Sequence, residues 1–247
     1  MDMDLKYKKV DGGITITHGD ISATGELIIP DQIDGFPVTS IGGSAFWYFT
    51  SLTSVTLPSS ITSIAAAAFL GCSGLTSVTL PSGLTSIGNE AFYGCSGLTS
   101  VILPSNLTSI GDETFSSCRG LTSVTLPNSL TSIGNDAFSW CPALTSVTLP
   151  DSLTSIGDYA FYGCSGLTSV ILPNSLTSIG NYAFYWCSGL TSVILPSGLK
   201  SIGNNIFYGC AGLKSVTTSK AAVSALIKNV FPPDVEVIYD IENWRKE

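Results

Sequence analysis

Leu75–Gly97 reads LTSVTLPSGLTSIGNEAFYGCSG, and close copies of this unit fill most of the 247-residue chain. Its leading leucine returns every 23 residues as Leu52, Leu75, Leu98, Leu121, Leu144, Leu167, Leu190 and Leu213. A unit this short cannot bury its own apolar face, so the copies must stack on one another as a solenoid. Within the unit, Leu75, Val78 and Leu80 follow an L-x-x-L-x-L spacing. The two-residue period turns Val78 and Leu80 inward and Ser77 and Thr79 outward on a short strand. Pro81 ends that strand, and Ser82-Gly83 turns the chain. Leu84 and Ile87 point inward from a second extended piece, which Gly88 and Asn89 break. Asn89 has the chemistry of an N-cap, so a single helical turn is expected through Ala91, Phe92 and Cys95.

Three further columns keep the same period: Phe46 to Phe207, Ile41 to Ile202 and Cys72 to Cys210. They predict an aromatic stack, an aliphatic stack and a line of small buried residues. At about 4.8 Å per coil, eight coils extend the body to roughly 40 Å. The fold class expected is α/β: a right-handed solenoid of about eight 23-residue coils, with short strands and one short helical turn per coil. Capping units are expected at the ends, with residues 1–36 a β-rich N-terminal cap, 37–218 the solenoid and 219–247 a helical C-terminal cap and tail. In the first cap, Gly13-Ile-Thr-Ile-Thr and Leu27-Ile-Ile-Pro30 alternate like a hairpin over the first coil. Residues 32–37 read as a short insertion. Residues 219–230 read as an amphipathic helix, and 235–239 as a final strand. Ala65-Ala66-Ala67-Ala68 departs from the repeat, and the lost capping side chain is expected to cost that coil about 1 kcal/mol.

The phrases LTSVTLPxSLTSIGNxAFYGC and IDGFPVTSIGGSAF (the latter Ile33–Phe46) resemble the BspA-like, Treponema-type class of bacterial leucine-rich repeats. The resemblance runs from about Ile29 to about Val216. It implies a right-handed solenoid and a role in adhesion at the cell surface or after secretion, through binding and not catalysis. The opening Met1-Asp-Met-Asp-Leu-Lys has no apolar h-region, so no secretory signal is read in this chain and a cytoplasmic location stays open.

Mean hydropathy is +0.39 and only 11% of residues are charged, yet no run approaches the ~18 apolar residues that span a bilayer. Membrane insertion is not expected. Net charge is −8. Between Leu52 and Leu213 the acids are Glu90, Asp112, Glu113, Asp136, Asp151 and Asp158, against Arg119 and Lys200. Without a basic stripe, neither nucleic acid nor an anionic membrane surface is an expected partner.

The seven cysteines contain no C-x-x-C pair, which leaves packing as their expected role and no metal site. Phe49 takes the cysteine position in the first coil. His18 is the single histidine, and no nucleophile–base set or phosphate loop accompanies it, so no enzyme and no cofactor are expected. The outward Ser and Thr rows could order water, as ice-binding surfaces do. Interruption by Ile102, Ile171 and Ile194 weighs against that and for simple β-preference. The candidate ligand-binding residues are the rings after the Phe column: Trp47, Tyr48, Tyr93, Trp140, Tyr159, Tyr162, Tyr182, Tyr185, Trp186 and Tyr208. Exposed Tyr and Trp combine apolar contact with a polar handle, which suits a protein ligand first and a glycan second. The alternatives are that the rings only shield one edge of the coils, or that the chain is a scaffold without its own ligand.

Overall fold

A computed structural model describes residues 5–21, 24–218 and 235–239. Each repeat turns through two short extended segments and a third made of tight turns, and most equivalent strands of successive coils hydrogen-bond in register. The first ladder runs as two sheets, one from β3 (Gly25–Ile28) to Ser77–Thr79 and one from Ser100–Ile102 through the Ser-Val-Thr or Ser-Val-Ile strands to Ser215–Thr218 and Glu236–Tyr239. Its pairing is parallel, with Val101 opposite Val124 and Val147 opposite Val170. The second ladder carries the Ser-Ile pairs, Ser63–Ile64 and Ser86–Ile87 in one sheet and Ser109–Ile110 to Ser201–Ile202 in another, with Ile133 opposite Ile156.

The third segment corrects the sequence expectation. Among the described residues there is no helix. Tyr93 and Cys95 donate their backbone N–H to the carbonyls of Glu90 and Phe92, three residues back, as in successive turns. Glu90, Phe92 and Gly94 instead donate to Asp112, Thr114 and Ser116 of the next coil. Glu90 (φ 59°) and Gly94 (φ 68°) are left-handed, so every fourth residue breaks the run of helical dihedrals. A helix would keep these donors inside one coil. Here half of them bind the neighbour, making a β-solenoid of about nine turns instead of an α/β solenoid of eight.

Asn89 is likewise no helix cap. Its Oδ1 accepts the backbone N–H of Asp112 at 3.0 Å. The same bond recurs from Asp112 to the amide of Asn135, and from there to Asp158, Asn181 and Asn204. This Asn/Asp column satisfies one amide per coil at a corner of the stack. Ala66 occupies its position in the coil before Asn89 and has no side-chain acceptor. Ala66→Asn should therefore extend the column and raise stability by about 1 kcal/mol, measured by chemical denaturation. An unchanged midpoint would count against the column as a stabilising device.

The core is one continuous stack. Phe46 to Phe207 are fully buried, with ring centroids 5.2–5.8 Å apart and planes within 17° of parallel. Phe49 is buried edge-on to Phe46, and the leucine and isoleucine columns fill the space between the ladders.

The N-terminal end also differs from expectation. β2 (Gly13–His18) forms its hairpin with β1 (Lys6–Val10) and not with β3. On its other side β2 pairs parallel with β5 (Phe36–Ile41), while β3 pairs parallel with β6 (Leu52–Thr56). The two segments thus sit in different ladders of an added first turn, which is why alternation alone mistook them for partners. Residues 32–37 form a small hairpin: β4 (Gln32–Ile33) folds back on β5 through Asp34 (φ 52°) and Gly35 (φ 78°). These dihedrals are those of a tight two-residue hairpin turn. The strand expected at 235–239 is present as Glu236–Tyr239, parallel to Ser215–Thr218. The helix expected at 219–230 and the tail at 241–247 lie outside the described residues.

Candidate functional site

The turn segment buries Ala91, Phe92 and Cys95 and leaves Glu90, Tyr93 and Gly94 facing outward. These outward positions share one face, set by alternating left-handed turns. Down the solenoid it has three columns. The column of Glu90 continues through Glu113 and Asp136 to Tyr159 and Tyr182. That of Tyr93 runs through Ser116 and Ser139 to Tyr162, Tyr185 and Tyr208. That of Gly94 runs through Ser117 to Trp140, Gly163, Trp186 and Gly209.

Seven of the ten candidate rings come together. Tyr159 stacks on Tyr182 at 4.9 Å, Tyr162 on Tyr185 at 5.3 Å, and Tyr185 on Tyr208 at 5.1 Å. Trp140 meets Tyr162 edge-on at 5.0 Å, and Trp186 lies 6.4 Å from Trp140. The other three stand apart. Trp47 and Tyr48 pair with each other at 5.1 Å near the N-terminal end. Tyr93 is cut off from Tyr162 by Ser116 and Ser139, which are buried and share a 2.9 Å hydrogen bond.

The Trp column carries a pairing absent from the sequence reading. Tyr48, Trp140 and Trp186 have φ of 59°, 56° and 58°, a region costly for bulky residues, and Gly71, Gly94, Gly163 and Gly209 hold the same conformation without that cost. Each ring lies over the glycine of the next coil. A Cβ on Gly71 or Gly163 would sit 3.0 Å from the ring of Tyr48 or Trp140, and one on Gly209 would overlap Trp186. The signal was available: read down the period, every aromatic in this column is followed by Gly. Beside it a groove of about 540 Å³ is bounded by Trp140, Trp186, Gly163, Pro142 and Arg119.

The acids at the N-terminal end of this face repel one another. Burial pushes the Glu113 carboxyl above its ordinary range, and Glu90, Asp136 and Asp112 push it further. Burial also raises Asp136, opposed by its hydrogen bond with Ser139 and aided by Asp112 and Asp158. Desolvation raises the phenols of Tyr159 and Tyr185, neighbouring tyrosines push both further, and Asp136 and Asp158 add to the shift at Tyr159.

Each cysteine is buried and free, and its Sγ donates to a Phe carbonyl of the preceding coil, Cys141 to Phe115 at 3.2 Å and Cys164 to Phe138 at 3.1 Å. His18 is exposed, with its ring edge-on to Phe49. On the outer strand face Ile102, Ile171 and Ile194 stand 60–75% exposed among the hydroxyls. Among the described residues, no group of three His, Cys, Asp or Glu could hold a metal ion, and no helix is long and apolar enough to cross a membrane.

The profile of the BspA type leucine rich repeat region (6 copies) matches residues 39–168 and 131–232. The chain belongs to the BspA-type leucine-rich repeat family. Among solved structures, this BspA-type chain is similar to the leucine-rich repeat protein of T. pallidum, with 33% identity over 85% of this chain and 87% of that one, at a TM-score of 0.62. It is also similar to a leucine-rich repeat protein from Bacteroides ovatus, with 26% identity over 97% and 78% and a TM-score of 0.64. A leucine rich cell surface protein from Faecalibacterium prausnitzii matches at 22% identity over 99% and 96%, with a TM-score of 0.46. No curated protein sequence matches. BspA-type repeats build scaffolds that are generally non-enzymatic.

Proposed function

We propose that the chain is a non-enzymatic binding scaffold for a protein, a cell-surface or matrix ligand met at the cell surface or after secretion. The contact face is the cluster of Trp140, Tyr159, Tyr162, Tyr182, Tyr185, Trp186 and Tyr208. The observation that supports it is the left-handed backbone at Trp140 and Trp186. Four other coils fill this position with glycine, so the two indoles are held half-exposed at a local cost the fold does not require. A rigid rack of rings loses little entropy on binding, which favours recognition by many weak contacts. Trp47 with Tyr48 forms a second, smaller contact of the same kind, and Tyr93 an isolated one. The half-exposed indoles beside the groove favour a second reading, a glycan-binding module.

The same backbone supplies the test. Trp140→Gly with Trp186→Gly installs the residue that other coils carry, so folding should hold within about 1 kcal/mol as strain relief offsets lost packing. The purified chain is screened against extracellular-matrix proteins and a glycan array. Capture of a matrix protein, weakened about tenfold or more in the double variant, is the expected result. A ligand held equally well by both proteins would rule out the aromatic face. A glycan alone, lost in the variant, would replace the first reading by the second, and silence throughout would leave a scaffold without a ligand of these classes.

A further inference from the structure

The ligand class can be narrowed where the aromatic face meets the acids. Asp136 and Tyr159 hold the same column position in adjacent coils, about 4.8 Å apart along the axis. Tyr159 stacks one face on Tyr182, with planes within 10° of parallel. Its other side is turned toward the coil of Asp136, and 36% of the residue is exposed. Glu113 precedes Asp136 in the column, and Asp112 and Asp158 stand in the adjoining one. Among the described residues the ion pair is Lys9–Asp34, in the N-terminal hairpin, and no ion pair involves these acids. Arg119 lies on the opposite border of the face, beside the groove.

We infer that this junction receives an arginine side chain from a basic segment of the protein ligand, the guanidinium lying on the open face of Tyr159 and bonded to the Asp136 carboxylate. This rests on the aromatic face being the binding surface, as proposed above. The shape of the group decides for arginine. A planar guanidinium can stack on a ring while its N–H edge meets a carboxylate, whereas a lysine ammonium is a compact, strongly hydrated charge that does only one of these well. The like charges that the acids hold against one another give the free surface a standing repulsion that a cation relieves. The stacked phenols beyond Tyr159 present ring edges and hydroxyls that can accept from the rest of such a segment.

The probe is a fluorescein-labelled peptide of alternating Arg and Ser, followed by anisotropy at low ionic strength against the full chain. Matched peptides carry Lys or the neutral isostere citrulline in place of Arg. The Arg peptide should bind, the Lys peptide several-fold more weakly, and the citrulline peptide not measurably. Asp136→Asn should weaken the Arg peptide roughly tenfold. The left-handed φ of 51° at this position suits Asn, so the variant keeps its fold. Tyr159→Phe, which keeps the ring, should bind like the parent, and Tyr159→Ala should lose about as much as Asp136→Asn.

Equal binding of Lys and Arg peptides, or an Asp136→Asn variant with full affinity, overturns the inference. Its failure is distinguishable from failure of the broader proposal. A matrix ligand that needs Trp140 and Trp186 but is not displaced by the Arg peptide overturns only the arginine assignment. A ligand indifferent to both tryptophans removes the aromatic face itself.

Discussion

Phe138→Ser should lower the stability of the chain by about 4–8 kcal/mol, read as a shift in the urea midpoint. Phe138 is fully buried, with Phe115 at 5.5 Å on one side and Phe161 at 5.4 Å on the other. Truncating a buried Phe costs about 3–5 kcal/mol through lost transfer energy and the cavity left behind. The serine hydroxyl adds about 1–3 kcal/mol if it finds no partner among the rings. The position matters as much as the residue, because each coil is stabilised mainly by contacts with its two neighbours. A defect at the centre interrupts both halves of the stack. Loss of a single transition, with two separate ones in its place, would be a second sign of this. A midpoint equal to the parent's would contradict the stacked core.

Alkali should unfold the chain cooperatively between about pH 9 and pH 11, ahead of what tyrosine and lysine titration alone would produce. Burial pushes the thiols of Cys118, Cys164 and Cys210 up to about 12, opposed in part by the backbone of the cysteine in the preceding coil. The thiols of Cys141 and Cys187 are also raised well above the usual value, chiefly by burial. In the unfolded chain a thiol ionises near its ordinary value of about 8.5. The unfolded state therefore releases its protons first. Stability is complete below that value and is lost as pH rises toward about 12. Each such thiol costs about 1.4 kcal/mol per pH unit over this interval, so three together remove roughly 8 kcal/mol across two units. That is comparable to the whole stability of an ordinary domain. Replacing Cys118 and Cys164 by Val should move the alkaline midpoint, followed by circular dichroism, to higher pH. If the midpoint stays where it was, the thiols are not what the alkali attacks.

The buried columns were legible because burial at a fixed period leaves a mark in composition that no local conformation can hide. Leu75, Ile87, Phe92 and Cys95 are all inward, as the spacing required. The third segment was misread for a physical reason. Glu90, Ala91 and Phe92 are compatible with a helical turn, and the three-residue bonds they form locally look like one. The left-handed dihedral at Glu90 is imposed by the next coil and leaves no trace in the residue type. Asn89 was assigned the correct chemistry with the wrong partner. Its side-chain oxygen does accept a backbone N–H, but 23 residues away in sequence instead of within its own turn. The aromatic columns were visible as residues, while their division into a seven-ring cluster, a pair and a single ring depends on Ser116 and Ser139. Two small hydroxyls in consecutive coils close the surface between Tyr93 and Tyr162, and that is a packing outcome no propensity encodes.

The rings that lean over a following glycine impose a spacing rule on the surface. Since Tyr48, Trp140 and Trp186 each occupy the space a side chain of the next coil would need, this column can carry large rings no closer than every second coil. With coils about 4.8 Å apart, the densest arrangement attaches one ring per roughly 9.6 Å of backbone axis. Trp140-Gly163-Trp186-Gly209 already runs at that limit over four coils. The solenoid thus behaves as a ruler whose marks can be added or erased, while the number of coils between neighbouring marks is fixed by the backbone. The tilt of each ring sets how near its centre comes to the next, 6.4 Å for Trp140 and Trp186.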